Sequence, residues 1–301
     1  GFGGHMRSML RHCPPKPSQV CGTVGAMGRI KKLALGIGVL AGVSVVIDSR
    51  AAAHQARLLR NHFRFPAEET GFSPELVADL PEPVQRYFLH AIAPGTPLAR
   101  SVRLTISGRM RPRPDAAHLD LTAKETLAPP LGMVWEARTA MGPIPFHIVD
   151  CHFQGAGRIE GRVAGLLAVM RGDGIHISRS SRHRVAIEAT WVPSTLLPQH
   201  GTAWTAVDDD LIRYEITIDG EAIPVMLRID GEGRVGEATM ERYGDVNVPD
   251  YQLIPYGYAA VAEAEFGGYT VPSRLVGGWW YGSDDYDEDG ASEFIIEDAI
   301  Y

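Results

Sequence analysis

From Ser101 onward the chain alternates. In SVRLTISGRM, Val102, Leu104 and Ile106 oppose Arg103, Thr105 and Ser107, the period of two of a half-buried strand. AHLDLTAKETLA, GMVWEAR, PFHIVDCHFQG and GRIEGRVAG continue in the same manner, divided by Pro and Gly. LIRYEITID, IPVMLRID, RVGEATMERY, AAVAEAEF, YTVPSRLVGGWWYG and SEFIIEDAIY follow. DGEGR and FGGY read as hairpin turns, with Gly supplying positive φ. Before Ser101 the period is helical. FSPELVADL offers Ser73 as N-cap and Pro74 at the first helical position, and LPEPVQRYFLHAI aligns Val84, Tyr87, Phe88 and Ala91 on one stripe. A further helix interrupts the strands at SRSSRHRVAIEATWVPSTLLP.

No βαβ alternation is present, and short turns join consecutive strands, so the pattern predicts an antiparallel meander. A long twisted sheet curls. The expected fold is mainly β, a single curved sheet or half-barrel of about ten strands with a few helices on its concave side.

Upstream, Arg29, Lys31 and Lys32 precede an apolar run from Leu33 to Ile47, and Ala51, Ala52 and Ala53 follow it. Basic, apolar and small segments in that order read as a secretory signal. The run is short for a membrane span, and it serves as an anchor only if it stays uncleaved. GFGGH before Met6 reads as a leftover tag, with Met27 as the natural start. The expected organisation is therefore an extension over 1–26, a signal or anchor over 27–53, a linker helix over 54–71 and one ligand-binding β domain over 72–301. The protein is placed outside the cytoplasm, secreted or associated with the membrane through that apolar segment.

Charge changes at the same boundary. The chain has 29 basic and 36 acidic residues; beyond residue 53 these become 22 against 35, a net −13. An acidic domain excludes nucleic acid as a partner, because phosphate contacts need a basic face. Cys151 is the only cysteine after the apolar run, which excludes an internal disulfide and a cysteine zinc cluster in the domain. H-E-x-x-H, G-x-S-x-G, Walker and Rossmann patterns are absent, so the sequence implies no cofactor.

Four groups of residues carry candidate chemistry. Arg184, Glu188 and Trp191 lie at i, i+4 and i+7 on one face of the middle helix. An Arg–Glu pair beside a Trp suits a polar head group at the mouth of an apolar cavity, and Glu188 would serve an enzyme as acid or base. Asp150 and His152, two apart on a strand, share a face and form a second acid–base candidate. Trp135, Trp279 and Trp280 are candidate ligand walls; the last two are neighbours on a strand and must point to opposite faces. Asp285, Asp287 and Asp289 before Gly290 have calcium-loop spacing, but the twelfth position is Ile296 where the bidentate Glu belongs. A solvated acidic turn is the expected reading there, with calcium as the alternative and no other metal site.

The strings LPEPVQRYFLHAIAPGTPLARSVRLTISG, LAPPLGMVWEAR, EATWVPSTLLP, WTAVDDD and FGGYTVPSRLVGGWWYGSD resemble an uncharacterised bacterial domain family from about residue 72 to the end. GGYTVPSRL followed by FIIEDAIY is also similar to the end of bacterial lipoprotein-carrier proteins, and this implies a curved half-barrel that shelters acyl chains. The combined expectation is a carrier for a lipidic or apolar small molecule. The alternative is an enzyme, a hydrolase, isomerase or cyclase, acting on an apolar substrate through Glu188 or Asp150 and His152.

Overall fold

Thirteen strands pair in the order β6-β5-β4-β3-β2-β1-β13-β12-β11-β10-β9-β8-β7 in a computed structural model that describes residues 46, 48–111 and 116–301. The extension over 1–26 and, Val46 apart, the apolar run Leu33 to Ile47 lie outside the described residues. Among the described residues no helix is long and apolar enough to cross a membrane.

All pairings are antiparallel. The first meander comprises β1 (Val102–Met110), β2 (Leu119–Ala128), β3 (Gly132–Met141), β4 (Ile144–Phe153), β5 (Ala156–Val163) and β6 (Leu167–Gly172). The second comprises β7 (Ala203–Ala206), β8 (Leu211–Ile218), β9 (Glu221–Ile229), β10 (Val235–Gly244), β11 (Gln252–Phe266), β12 (Tyr269–Trp279) and β13 (Ser292–Ile300). The first and last strands, β1 and β13, pair and join the two meanders. The curved antiparallel sheet is the expected fold, with thirteen strands where about ten were expected. The two unread strands, β6 and β7, are the sheet's edges. Each has one neighbour and neither shows a buried alternation, so the period-two signal is missing.

This topology fixes the route between the halves. The connection from edge β6 to edge β7 must cross the sheet, and α3 (Gly174–Glu188) makes the crossing with the short turns that follow it through His200. A helix of this length covers about 22 Å. It settles on β5 at Gly157, whose N–H donates to Ser178 Oγ at 2.8 Å. A Cβ at Gly157 would stand 2.7 Å from Ser178 Cα, so only glycine lets the helix come this close.

The concave side is filled on the second half of the sheet. Tyr87 and Phe88 of α2 (Glu82–Ala91) pack against Trp204, which meets Tyr214 at 5.3 Å between ring centres. Tyr214 donates to the Ala186 carbonyl of α3 at 2.7 Å. The PELV segment is a single 3-10 turn, Pro74–Val77, where Ser73 and Pro74 were read as opening a longer helix; Pro81 and Pro83 cut it short.

One helix departs from the expected side. Residues 48–62 form α1, which packs Ala56, Leu59 and the following Phe63 on Ala128, Val134, Cys151 and Phe153, the face opposite α3. Its start is tied to the sheet by Asp48, which accepts from Arg162 at 2.7 Å and also pairs with Arg171.

Candidate functional site

Opposed residues of a sheet share a face, and this places a charged row under α3. Glu125 pairs with Trp135, and Trp135 with Asp150. Above them the Arg184 guanidinium lies over the Trp135 ring at 5.0 Å. Its Nε donates to Glu188 at 2.7 Å, its Nη1 donates to Asp150 at 2.9 Å, and its Nη2 stands 3.7 Å from Glu125. One cation therefore faces three carboxylates. The Glu125 side chain is fully buried, while Glu188, Asp150 and Arg184 keep 11%, 13% and 14% of their side-chain surface.

The electrostatics follow from burial. Burial pushes the Glu125 carboxyl well above the usual range, and the neighbouring Glu188 charge pushes it further. Burial works to lower the Arg184 pKa, but Glu188, Glu125 and Asp150 outweigh it and hold it well above the usual arginine range. Both Glu125 oxygens and Glu188 Oε2 are buried and receive no N–H donor; a bond between the Glu125 and Glu188 carboxyls requires a proton that they share.

Sequence reasoning paired Arg184 with Glu188 and named Asp150 and Trp135 apart from them, and the structure brings all four together. It missed Glu125. A signal was present: Glu125 occupies the apolar phase of β2, in register with Leu121, Ala123 and Leu127.

The other candidates lie elsewhere. Asp150 and His152 share a face but not a bond. The buried His152 donates from Nε2 to Asp219 at 2.7 Å, and its Nδ1 is 3.2 Å from Ser181 Oγ. Burial lowers its pKa against the pull of Asp219. This Ser–His–Asp set is not a nucleophile site: Ser181 and His152 are sealed beneath α3, and Ser181 Oγ also donates within the helix to Ile177 O at 2.9 Å. Asp219 arrives through the β8–β9 hairpin turn, with φ of 48° at Asp219 and 80° at Gly220. The β4–β5 and β8–β9 hairpins thus meet around the start of α3 and close that end of the half-barrel.

Trp191 is buried in the core, where its Nε1 donates to Pro272 O at 3.0 Å; it anchors the turn after α3 and does not join the cluster. Trp279 packs edge-on to Tyr256 at 5.2 Å beneath Arg242. Trp280 leaves the strand with φ 65° and donates to Val246 O at 3.0 Å. Asp287 accepts from Arg111 at 2.9 Å and from the Gly290 N–H at 3.0 Å, so it caps an acidic turn. Among the described residues no three His, Cys, Asp or Glu side chains are placed to hold a metal ion.

A second charge cluster surrounds Glu221, which accepts from Arg179 and Arg182 at 2.8 Å each and from His183 at 3.2 Å. It borders an open hollow of about 940 Å³ at the start of α3. Arg158, Arg179 and Arg182 on that hollow are each paired to a carboxylate. Burial works to raise the Glu221 carboxyl, but the hydrogen bonds from Arg179 and His183 win and hold it at about 2. A depressed carboxyl stabilises the fold above its unfolded pKa, near 4.5, and that contribution is lost as pH falls through about 2. Glu221→Gln is expected to melt below wild type at pH 7, with the two melting curves converging between pH 4.5 and 2. A gap that persists at pH 2 would show that the pair acts through packing.

From the charged row the strands of the first meander lead into apolar rows, of which Leu121, Ala123 and Ala137 are buried in the core. Ala123, Ala137, Ile148, Gly161 and Met170 form the next row, and Leu121, Thr139, Phe146 and Val163 the one after. Ile148, Phe146 and Val163 are half-buried, and Met170, Met141 and Ile144 are exposed. Six residues separate Asp150 from Ile144, about 20 Å of strand.

The molecule is thus a curved antiparallel half-barrel with a buried Arg–carboxylate cluster at the head of a half-buried apolar strip on β4 and β5. Residues 70–287 match the DUF6544 family, a family of unknown function, and the chain belongs to it. No curated protein matches the chain. Among solved structures it is similar to a LolA superfamily protein from Nitrosomonas europaea, at 10% identity and TM-score 0.40 over 72% of this chain and 90% of that one. It is also similar to a putative outer membrane lipoprotein-sorting protein domain from Vibrio parahaemolyticus, at 10% identity and TM-score 0.34 over 75% and 91%. A DUF1329 family protein from Desulfovibrio piger aligns at 12% identity and TM-score 0.25 over 76% and 91%.

Proposed function

We propose that this protein binds a lipid-like small molecule outside the cytoplasm and holds it along the concave face of β1–β6. The observation that carries the reading is the trough, the half-buried apolar strip of Ile148, Phe146 and Val163 on β4 and β5, which runs about 20 Å along β4 between the Arg184 cluster and the exposed Met141 and Ile144. The rest of the concavity is already filled by Tyr87, Phe88, Tyr214 and Tyr269, so a ligand there would have to displace core side chains. Met141, Ile144, Leu166 and Leu167, exposed on adjacent hairpins, mark the end at which an apolar molecule enters.

The test is retention. Protein purified without detergent and extracted with organic solvent should release an amphiphile visible by mass spectrometry. Phe146→Asp, which sets a charge in the trough, should cut the yield by about tenfold or more while the melting temperature holds within a few degrees. Equal yields from Phe146→Asp and wild type, or no amphiphile above a mock purification, would sink the reading. The extracytoplasmic placement rests on the basic, apolar and small segments before residue 54. A reporter fused after residue 71 should be exported, and its retention in the cytoplasm would overturn that placement.

One observation favours an enzyme as the second reading. Glu125, its carboxyl raised by burial and by the facing Glu188, forms with it a carboxyl pair suited to hold one proton and pass it on. Conversion of the released molecule on incubation with wild type, but not with Glu188→Gln, would select that reading; identical molecules before and after incubation would exclude it.

A further inference from the structure

We infer that the head of this ligand carries an amine, and that Glu125, Glu188 and Asp150 recognise it. The inference rests on the proposed binding of an amphiphile in the trough. Its own basis is the donor and acceptor balance of the cluster.

Arg184 is turned toward carboxylates: its Nε and Nη1 are committed to Glu188 and Asp150, and of its three nitrogens only Nη2 makes no hydrogen bond, with Glu125 standing 3.7 Å from it. The Trp135 ring occupies one face of the guanidinium. A carboxylate or phosphate head would sit against three carboxylates with one guanidinium among them, and like charges at this range repel strongly where water is scarce.

Acceptors, by contrast, are in surplus. Glu125 Oε1, Glu125 Oε2 and Glu188 Oε2 are buried and receive no N–H from the protein, so the one bond open to them is a proton shared between the two carboxyls. One shared proton serves only one bridge between the two carboxyls. An ammonium carries three N–H donors and one positive charge. It supplies the missing donors and offsets the negative charge that remains after Arg184 is counted. Access fits the same assignment: Glu125 forms the floor, and Glu188 and Asp150 stand at the partly open margin. The half-buried Ile148, Phe146 and Val163 begin one step along the strands, where the tail of such a molecule would lie. The acidic balance of the whole domain would draw in any cation, so the test must separate the cluster from that general field.

Calorimetric titration of the intact chain at pH 7 with dodecylamine, dodecanol and dodecanoate, each below its micelle concentration, makes the distinction. Dodecylamine is expected to bind at least about tenfold more tightly than dodecanoate, with dodecanol between them. Glu125→Gln/Glu188→Gln should bring the three within about twofold while dodecanol binding is kept; Glu188→Gln alone should halve the preference or more. Glu232→Gln/Glu265→Gln removes the same formal charge from exposed sites and should leave the preference intact. Equal affinities in the wild type, a preference for dodecanoate, or an amine preference that survives in the cluster variant but falls in the surface variant would overturn the amine assignment and leave the apolar-ligand reading standing. Failure of all three probes to bind would overturn both.

Discussion

Arg184→Met is expected to lower the unfolding free energy at pH 7 by about 3–5 kcal/mol, the usual effect of removing one partner from a buried charge network. For a domain of this size that corresponds to a fall of about 10 °C in melting temperature. Met retains much of the apolar stem, so packing over Trp135 is disturbed little. What is lost is the counter-charge. Glu188 and Asp150 then face Glu125 with no cation between them. The loss should be partly recovered by adding Glu125→Gln and Glu188→Gln to Arg184→Met, because the repulsion disappears with the charges. Thermal and urea melts of the single and triple variants check this. A single variant within about 1 kcal/mol of wild type would mean that the cluster is more hydrated than its burial indicates.

Glu125→Gln should have the opposite sign. The carboxyl is raised in the fold, so the native state holds a proton that the unfolded chain releases above pH 4.5. Stability contributed by this group is complete below pH 4.5 and declines as pH rises towards the folded pKa. A glutamine carries no such cost, and its amide can donate to the bare Glu188 Oε2. At pH 8 the variant should exceed wild type by about 1–3 kcal/mol, the range for a buried polar group without a partner. At pH 4 the two should coincide. A residue that weakens the fold at neutral pH and persists in the sequence is consistent with a binding or chemical role, since functional sites commonly trade stability for activity. If Glu125→Gln were less stable than wild type at every pH, Glu125 would be a structural anchor and the head-group assignment would lose its floor.

The extent to which this was readable from the chain differs by element. The stripe Val84, Tyr87, Phe88 and Ala91 is buried as its helical spacing requires. In β8, Ile212, Tyr214, Ile216 and Ile218 alternate into the core as read. Local periodicity sufficed because each element buries one face. It failed where burial is not one-sided, at β6 and β7, and at the start of β11, where Gln252 to Tyr258 mixes exposed and buried positions around Pro255. The middle helix was legible as a helix with Arg184 and Glu188 on one face, because i and i+4 are neighbours in any α-helix.

What the chain determined by itself was therefore the antiparallel meander, the two principal helices of the concave side and the pairing of Arg184 with Glu188, all set by interactions within a few residues. Only the tertiary structure decided what those residues face. Joining β1 to β13 puts the edges β6 and β7 at opposite ends, so α3 must cross the concave face and carry Arg184 over Trp135, Asp150 and Glu125. His152 met Asp219 across 67 residues for the same reason, and Trp191 was drawn into the core instead of the site. Such contacts depend on register and curvature over the whole sheet, quantities that no local spacing encodes.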